Sequence, residues 1–225
     1  MPSSPTWPEV SRNACVVIPV GSFEQHGPHL PLDTDTQVAS HLCMLATTGM
    51  ESVVVTPPLS ITASGEHAGF PGTISIGTEA FATVIVELVR SCDWATGVIL
   101  VHGHGGNFEA VQQATTILNS EQRNIASWWP HIPDADAHAG HTETSLMLAI
   151  NSNLVRIDKL EVGNMQPMSK IQRDLQTRGV HAVSTNGILG DARSATIQHG
   201  IELLAELSDN LHAFILSAQQ QWSRA

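Results

Sequence analysis

Val98-Ile99-Leu100-Val101-His102-Gly103-His104-Gly105-Gly106-Asn107 holds the key to the architecture. Four apolar residues in a row read as a short buried strand. The glycines after them break the run, and Asn107 is an N-cap candidate for a helix over residues 107–118. Strand, glycine turn and helix in that order form the repeating unit of a parallel α/β sheet.

Working outward, three more runs read as buried strands: residues 15–20, 53–56 and 125–129. Between them lie helical patterns. Phe81, Val84, Ile85, Leu88, Val89 and Cys92 recur at i, i+3, i+4, i+7, i+8 and i+11, an amphipathic helix. Thr142 is an N-cap candidate for a helix over residues 142–150, and residues 36–48 also read as helical. Residues 163–193, rich in glycine, read as loops with one short helix. A last helix over residues 195–220 places Ile197, Ile201, Leu204, Leu211, Phe214 and Ile215 on one side. The expectation is an α/β fold, one layered domain over residues 1–225, with a mainly parallel β-sheet flanked by helices.

Composition narrows the partners. The net charge of −11 and the lack of a basic run give no electrostatic support for binding nucleic acid or an anionic membrane. No apolar run is long enough to span a bilayer, and residues 1–6 lack the features of a signal peptide. Cys15, Cys43 and Cys92 are isolated in apolar runs and read as reduced thiols of a cytoplasmic protein. Only 14% of residues are charged, which suggests surface buried between subunits of a homo-oligomer. There is no tyrosine, which removes one common general acid.

The segments just past the strands carry the chemistry, because in parallel sheets ligands sit outside the carboxyl ends. After residue 20 come Glu24, His26 and Asp35. After the second strand comes Ser64-Gly65-Glu66-His67. After residue 101 comes His104, and after residue 129 come Asp136, His138, His141 and Glu143. In an extended segment Glu24 and His26, two apart, face the same side, and the two oxygens of Asp35 suit it to bridge two ions. Oxygen and nitrogen donors without thiolate favour Zn, Mn or Fe(II). Of the two alternating histidines in the glycine turn, His104 reads as the ligand and His102 as its support. A rival reading of that turn, a phosphate cradle, lacks the Lys-Ser/Thr of a P-loop. His138, in a turn of small residues, reads as a general acid for a leaving amine, its ordinary pKa being about 6.5. Glu143 gains from the helix N-terminus beside it. His41, His131, His181, His199 and His212 show no clustering and read as surface or core residues.

Gly21-Ser22-Phe23-Glu24-Gln25-His26-Gly27-Pro28-His29-Leu30-Pro31-Leu32 with Asp35 resembles the creatininase (creatinine amidohydrolase) family. So do Ser64-Gly65-Glu66-His67 leading into Phe70-Pro71-Gly72-Thr73, Gly103-His104-Gly105-Gly106-Asn107, and His138-Ala139-Gly140 followed by Glu143-Thr144-Ser145. The resemblance implies a binuclear metal amidohydrolase with a layered α/β fold, assembled as a symmetric oligomer. It implies two divalent ions, one held by Glu24, Asp35 and His104, the other by His26 and the bridging Asp35, with His138 as the catalytic histidine. Residues 32–36, 69–80 and 183–191 are most similar to members that remove a modified C-terminal dipeptide from a small ribosomal precursor peptide during redox-cofactor maturation. Such an enzyme would hydrolyse an amide with water activated by the ions, His138 protonating the leaving nitrogen and Glu143 or Glu66 assisting. The alternatives are a cyclic-amide or formamide hydrolase of the same family and a non-catalytic metal- or phosphate-binding module. Two positions depart from the family pattern. Creatininases place a ligating glutamate two residues beyond the equivalent of His104, where this chain has Gly106; Glu143 is the candidate replacement, and the gap argues against creatinine as substrate. His102 stands where the family usually has asparagine.

Overall fold

The structure is a computed structural model and describes residues 5–224, so residues 1–4 of the N-terminal stretch lie outside it. β1 (Cys15–Val20), β2 (Val53–Val55), β3 (Gly97–His102) and β4 (Ile125–Trp128) pair in parallel in the order β2-β1-β3-β4. The expected strands are all present, with β3 extended by one residue at each end and β2 and β4 each ending one residue early. β1 and β3 are buried along their whole length because they lie in the middle of the sheet.

Parallel pairing requires helical crossovers. They are α1 (Thr34–Ala46), α2 (Thr78–Arg90) and α3 (Phe108–Ser120). α4 (His141–Asn151) comes after the last strand, then α5 (Met168–Arg178), the single turn α6 (Val180–Val183) and α7 (Ile197–Trp222). Alternation along the strands divides the core in two. Cys15, Val17, Ile99 and Val101 pack with α1, α4 and α7. Val16, Ile18, Val20, Val98 and Leu100 face α2 and α3. The sheet with helices on both faces is a single layered domain.

Four local expectations are corrected. Asn107 does not cap α3 with its side chain. Instead its Oδ1 accepts from the Ala63 amide (3.1 Å) and its Nδ2 donates to the Gly21 carbonyl (3.1 Å), tying the ends of three strand segments together. Thr142 is not the cap of α4 either. The Asp136 carboxylate accepts from the amides of His141 and Thr142 (the latter 3.0 Å), so the cap arrives from outside the helix. On α7 the buried line is Leu203, Leu204, Leu207, Leu211, Ile215 and Ala218, while Ile197 and Ile201 are half exposed. The first turns of the helix pack on α4 through Gly200, which leaves Ile197 and Ile201 on the opposite side. Residues 163–193 form two helical pieces rather than one.

Candidate metal centre and active site

Asp35 is placed by backbone packing. It lies in the first turn of α1, where the helix dipole favours a carboxylate. That turn sits directly on the ends of β1 and β3. A methyl group added at Gly21 would overlap the Thr36 backbone, and one at Gly103 would overlap the Asp35 carbonyl. These two glycines let the helix approach both strand ends. The Asp35 carboxylate then accepts from Ser22 Oγ at 2.7 Å and lies 3.0 Å from His26 Nε2.

Around it the strand-end residues converge. Glu24 Oε1 lies 3.1 Å from His104 Nδ1, and Asp35 Oδ2 lies 3.2 Å from the same nitrogen. Ligand atoms of Glu24, Asp35 and His104 lie within 4.8 Å of one another, and so do those of His26, Asp35 and Glu143. Asp35 is common to both groups. Glu143 comes from the first turn of α4, its Oε2 accepting from the Ala139 amide at 2.6 Å and lying 3.9 Å from His26 Nε2.

His138 is buried between two other imidazoles, its ring centre 4.5 Å from those of His26 and His67. Its Nε2 is 2.8 Å from the Gln25 carbonyl and 3.1 Å from Gln25 Nε2. The two amide hydrogens of Gln25 already serve the Gly187 carbonyl (3.0 Å) and His67 Nδ1 (2.9 Å), and its Oε1 accepts from the Gly27 amide. Hence His138 Nε2 carries the hydrogen and donates to the Gln25 carbonyl, which leaves Nδ1 as the basic atom. By the same count His67 carries its hydrogen on Nε2, 3.2 Å from Glu24 Oε1.

Burial sets the electrostatics. Burial holds His138 well below the ordinary histidine range, with His26 and His67 pushing the same way, so its imidazole is neutral. Burial also raises Glu143, to about 7. Burial works against a charged His26, yet Asp35, Glu143 and Glu24 outweigh it and lift that histidine to about 10.

The donor set fits divalent metal. Both oxygens of Glu24 are buried and neither has a hydrogen-bond partner, because the approaches of His67 and His104 lack hydrogen-bond geometry. A fully buried carboxylate with two idle oxygens costs several kcal/mol unless a cation meets it. The remaining donors are carboxylate and imidazole, the set that Zn, Mn and Fe(II) share.

The other sequence candidates fall into place around this centre. Glu66 stands at the rim, its Oε1 3.3 Å from His104 Nε2. His102 packs behind the centre, stacked on Trp129 with ring centres 3.8 Å apart, and both of its nitrogens lack partners. Burial drives it down to about 3. His29 lies under the site, bonded to Thr144 Oγ1 at 2.8 Å. His141 turns away to His199, 2.7 Å from it, which gives His199 a partner that its place in the sequence does not signal. Two site residues escape the sequence reading. His67 directly adjoins Glu66 in a strand-end turn, and that adjacency is a usable signal. Gln25 sits between two candidates, but nothing in its type announces that it joins His67, His138 and residue 187.

The centre opens into a cavity of about 970 Å³, lined by Asp35, Glu66, His67, His104, His138 and Glu143 on the inner side and by α5 and residues 179–181 on the outer. Comparisons with known proteins agree with this layout. A family model described as creatinine amidohydrolase matches residues 3–215. A mycofactocin precursor peptide peptidase of Mycolicibacterium smegmatis is 47% identical over 199 residues, 85% of this chain and 80% of the relative. Its counterpart in Mycobacterium tuberculosis is 42% identical over 211 residues, 89% and 84% of the two chains. A solved manganese form of creatininase superposes with a TM-score of 0.73 at 22% identity, covering 93% of this chain and 95% of that one. With a family model matching residues 3–215 and relatives 42–47% identical over most of its length, the chain belongs to the creatininase family of amidohydrolases.

Proposed function

We propose that the chain is a metal-dependent peptide amide hydrolase that removes the modified C-terminal dipeptide of the mycofactocin precursor peptide. One observation carries this reading: two ligand groups sharing Asp35 lie beside a neutral His138 at the floor of a cavity large enough for a peptide end. The relatives named mycofactocin precursor peptide peptidase, at 42–47% identity over most of the chain, support the substrate.

In this reading Glu24, Asp35 and His104 hold one divalent ion, and His26, Asp35 and Glu143 the other, each Fe(II), Zn or Mn. Such ions, when bound, supply an acidified water and an electrophile for the amide carbonyl. The chain's own residues do the rest. His138, its Nε2 anchored to the Gln25 carbonyl, takes a proton at Nδ1 and returns it to the departing nitrogen. Gln25 keeps that tautomer fixed. The outer wall of α5 and residues 179–181 excludes water and holds the peptide.

A homo-oligomer and a cytoplasmic location belong to the same reading. The first is supported by exposed apolar residues such as Met165, Ile197 and Ile201, the second by the unpaired thiols of Cys15 and Cys43 buried in the core. Among the described residues no helix is long and apolar enough to cross a membrane.

The test is competition between a peptide ending in the modified dipeptide and small cyclic amides or formamides, with metal-loaded protein. Release of the C-terminal fragment at the higher kcat/KM is the expected result. Turnover of the small amides alone would transfer the site to the second hydrolase reading, and metal binding without any turnover would mark a binding module.

A further inference from the structure

Glu66 is a carboxylate at the centre outside the two groups that share Asp35; its own donor atom lies within 4.8 Å of those of Glu24 and His67. It lies on the short turn Gly65–His67, pressed from outside by residue 179, where a methyl group on Gly179 would come within 2.7 Å of the Glu66 carbonyl. Its side chain points to the far edge of His104. There Nε2 is 3.0 Å from the Ala63 carbonyl and 3.3 Å from Glu66 Oε1, while Nδ1 faces Glu24 and Asp35. The Ala63 carbonyl accepts at Nε2, so the ring hydrogen sits there, with Glu66 Oε1 beside it as a close charge rather than a second hydrogen-bond partner. Nδ1 is thereby left with its lone pair directed at the carboxylates. A carboxylate behind a ligand imidazole fixes its tautomer and raises its basicity.

The adjoining glycine shows how this arrangement is accommodated. A methyl group added at Gly106 would overlap both Glu66 Oε1 and His104 Nε2, and it would lie 2.9 Å from His104 Cε1. The space that any side chain at position 106 needs is the space Glu66 occupies. Gly106 is not strained, since its backbone does not adopt a positive φ. Close approach by Glu66 and by the His104 ring, rather than backbone conformation, is the reason for glycine here.

We propose that Glu66 is a positioning residue for His104 and that Gly106 is the opening that admits it. The inference rests on the metal-centre reading given under the proposed function. It adds a role that the two ligand groups do not contain.

The test uses full-length protein loaded with Co(II), comparing wild type with Glu66→Ala, Glu66→Gln, Gly106→Glu and the exchange Glu66→Gly/Gly106→Glu. The readouts are metal retention against a chelator and the visible absorption of Co(II), neither of which requires turnover. Glu66→Ala should weaken retention about 10- to 100-fold and alter the spectrum. Glu66→Gln, which keeps an acceptor oxygen, should recover part of both. Gly106→Glu alone should weaken retention, and the exchange should restore it above that single variant. Unchanged retention and spectrum in Glu66→Ala would overturn the proposal, as would an exchange no better than Gly106→Glu alone. If Gly106→Glu fails to fold, the Ala and Gln variants still decide. Wild-type protein that takes up no Co(II) would instead overturn the metal-centre reading itself.

Discussion

The two candidate ligand groups that share Asp35 differ in how they are held. Glu24, Asp35 and His104 are all buried, and they leave the ends of β1, β3 and the first turn of α1, which are packed against one another by backbone contact. The second group borrows Glu143 from α4, a helix that comes after the last strand. That side chain is 24% exposed and depends on one amide, that of Ala139. One half of the centre is part of the sheet edge. The other exists only as long as α4 stays docked on α7 and α1. The lesson is that one carboxylate can belong both to a donor group built into the sheet edge and to one completed by a separately docked helix.

Asp35→Ala should have the largest effect, because it removes a donor from both halves. Metal per chain, measured by elemental mass spectrometry after anaerobic purification, should fall close to zero, with affinity reduced more than the roughly 100-fold that outer contacts cost. Peptide hydrolysis should be lost with it. Retained hydrolysis in metal-free Asp35→Ala protein would remove the metal mechanism altogether.

Comparing Glu24→Gln with Glu143→Gln tests the asymmetry itself. Glu24→Gln should disturb the rigid half and lower total loading. Glu143→Gln should leave the Glu24 half occupied, so that the metal count drops by about half rather than to zero. Equal loss in both variants would show that the halves are not independent.

Asp136→Ala is milder. It deprives two amide donors at the start of α4 of their acceptor, and loss of a helix cap costs about 1 kcal/mol. The change should appear in denaturant midpoints and in weaker retention of one ion, the one Glu143 serves. An equal weakening of both would again break the comparison.

The smallest effect is expected behind the rigid half. His102 is buried, unpaired and depressed to about 3, so it favours the folded state while neutral. A depressed folded-state value means that its share of stability is complete above the unfolded pKa of about 6.5 and declines as pH falls toward 3. His102→Phe keeps the stack on Trp129 and removes the titrating group. Its stability should therefore decline less than that of wild type between those two pH values. A parallel decline in both proteins would place the acid sensitivity elsewhere, in the carboxylates of the centre.

Much of the fold and the site is readable along the chain because the physics involved is local. An unbroken apolar run such as residues 15–20 can be stable only as a buried central strand, and polar residues just past such runs have only the sheet's carboxyl edge to occupy. Hence Glu24, Asp35 and His104 can be named together from their places after strands. The period of α2 is equally plain, although the buried stripe is Phe81, Ala82, Ile85, Val86 and Val89, with Val84 exposed and Cys92 past the helix end. Residues such as Asn107 and Thr142 mislead for the opposite reason. Their types suit a helix cap, but a side chain binds whichever partner the fold brings nearest, and for Asn107 that is a loop 44 residues away.

Tertiary structure alone decided the rest. That Gln25 selects the tautomers of His67 and His138, 42 and 113 residues distant, comes from counting two amide hydrogens against the acceptors around them. That Glu66 fills the space over Gly106 comes from van der Waals overlap, which exists only once the two turns have met. Residue order determines which segments are strands, which are helices, and which groups can bear charge at a strand end. The direction of each lone pair and the volume left for each carboxylate are properties of contacts between distant segments. Those contacts are fixed only when the core has packed.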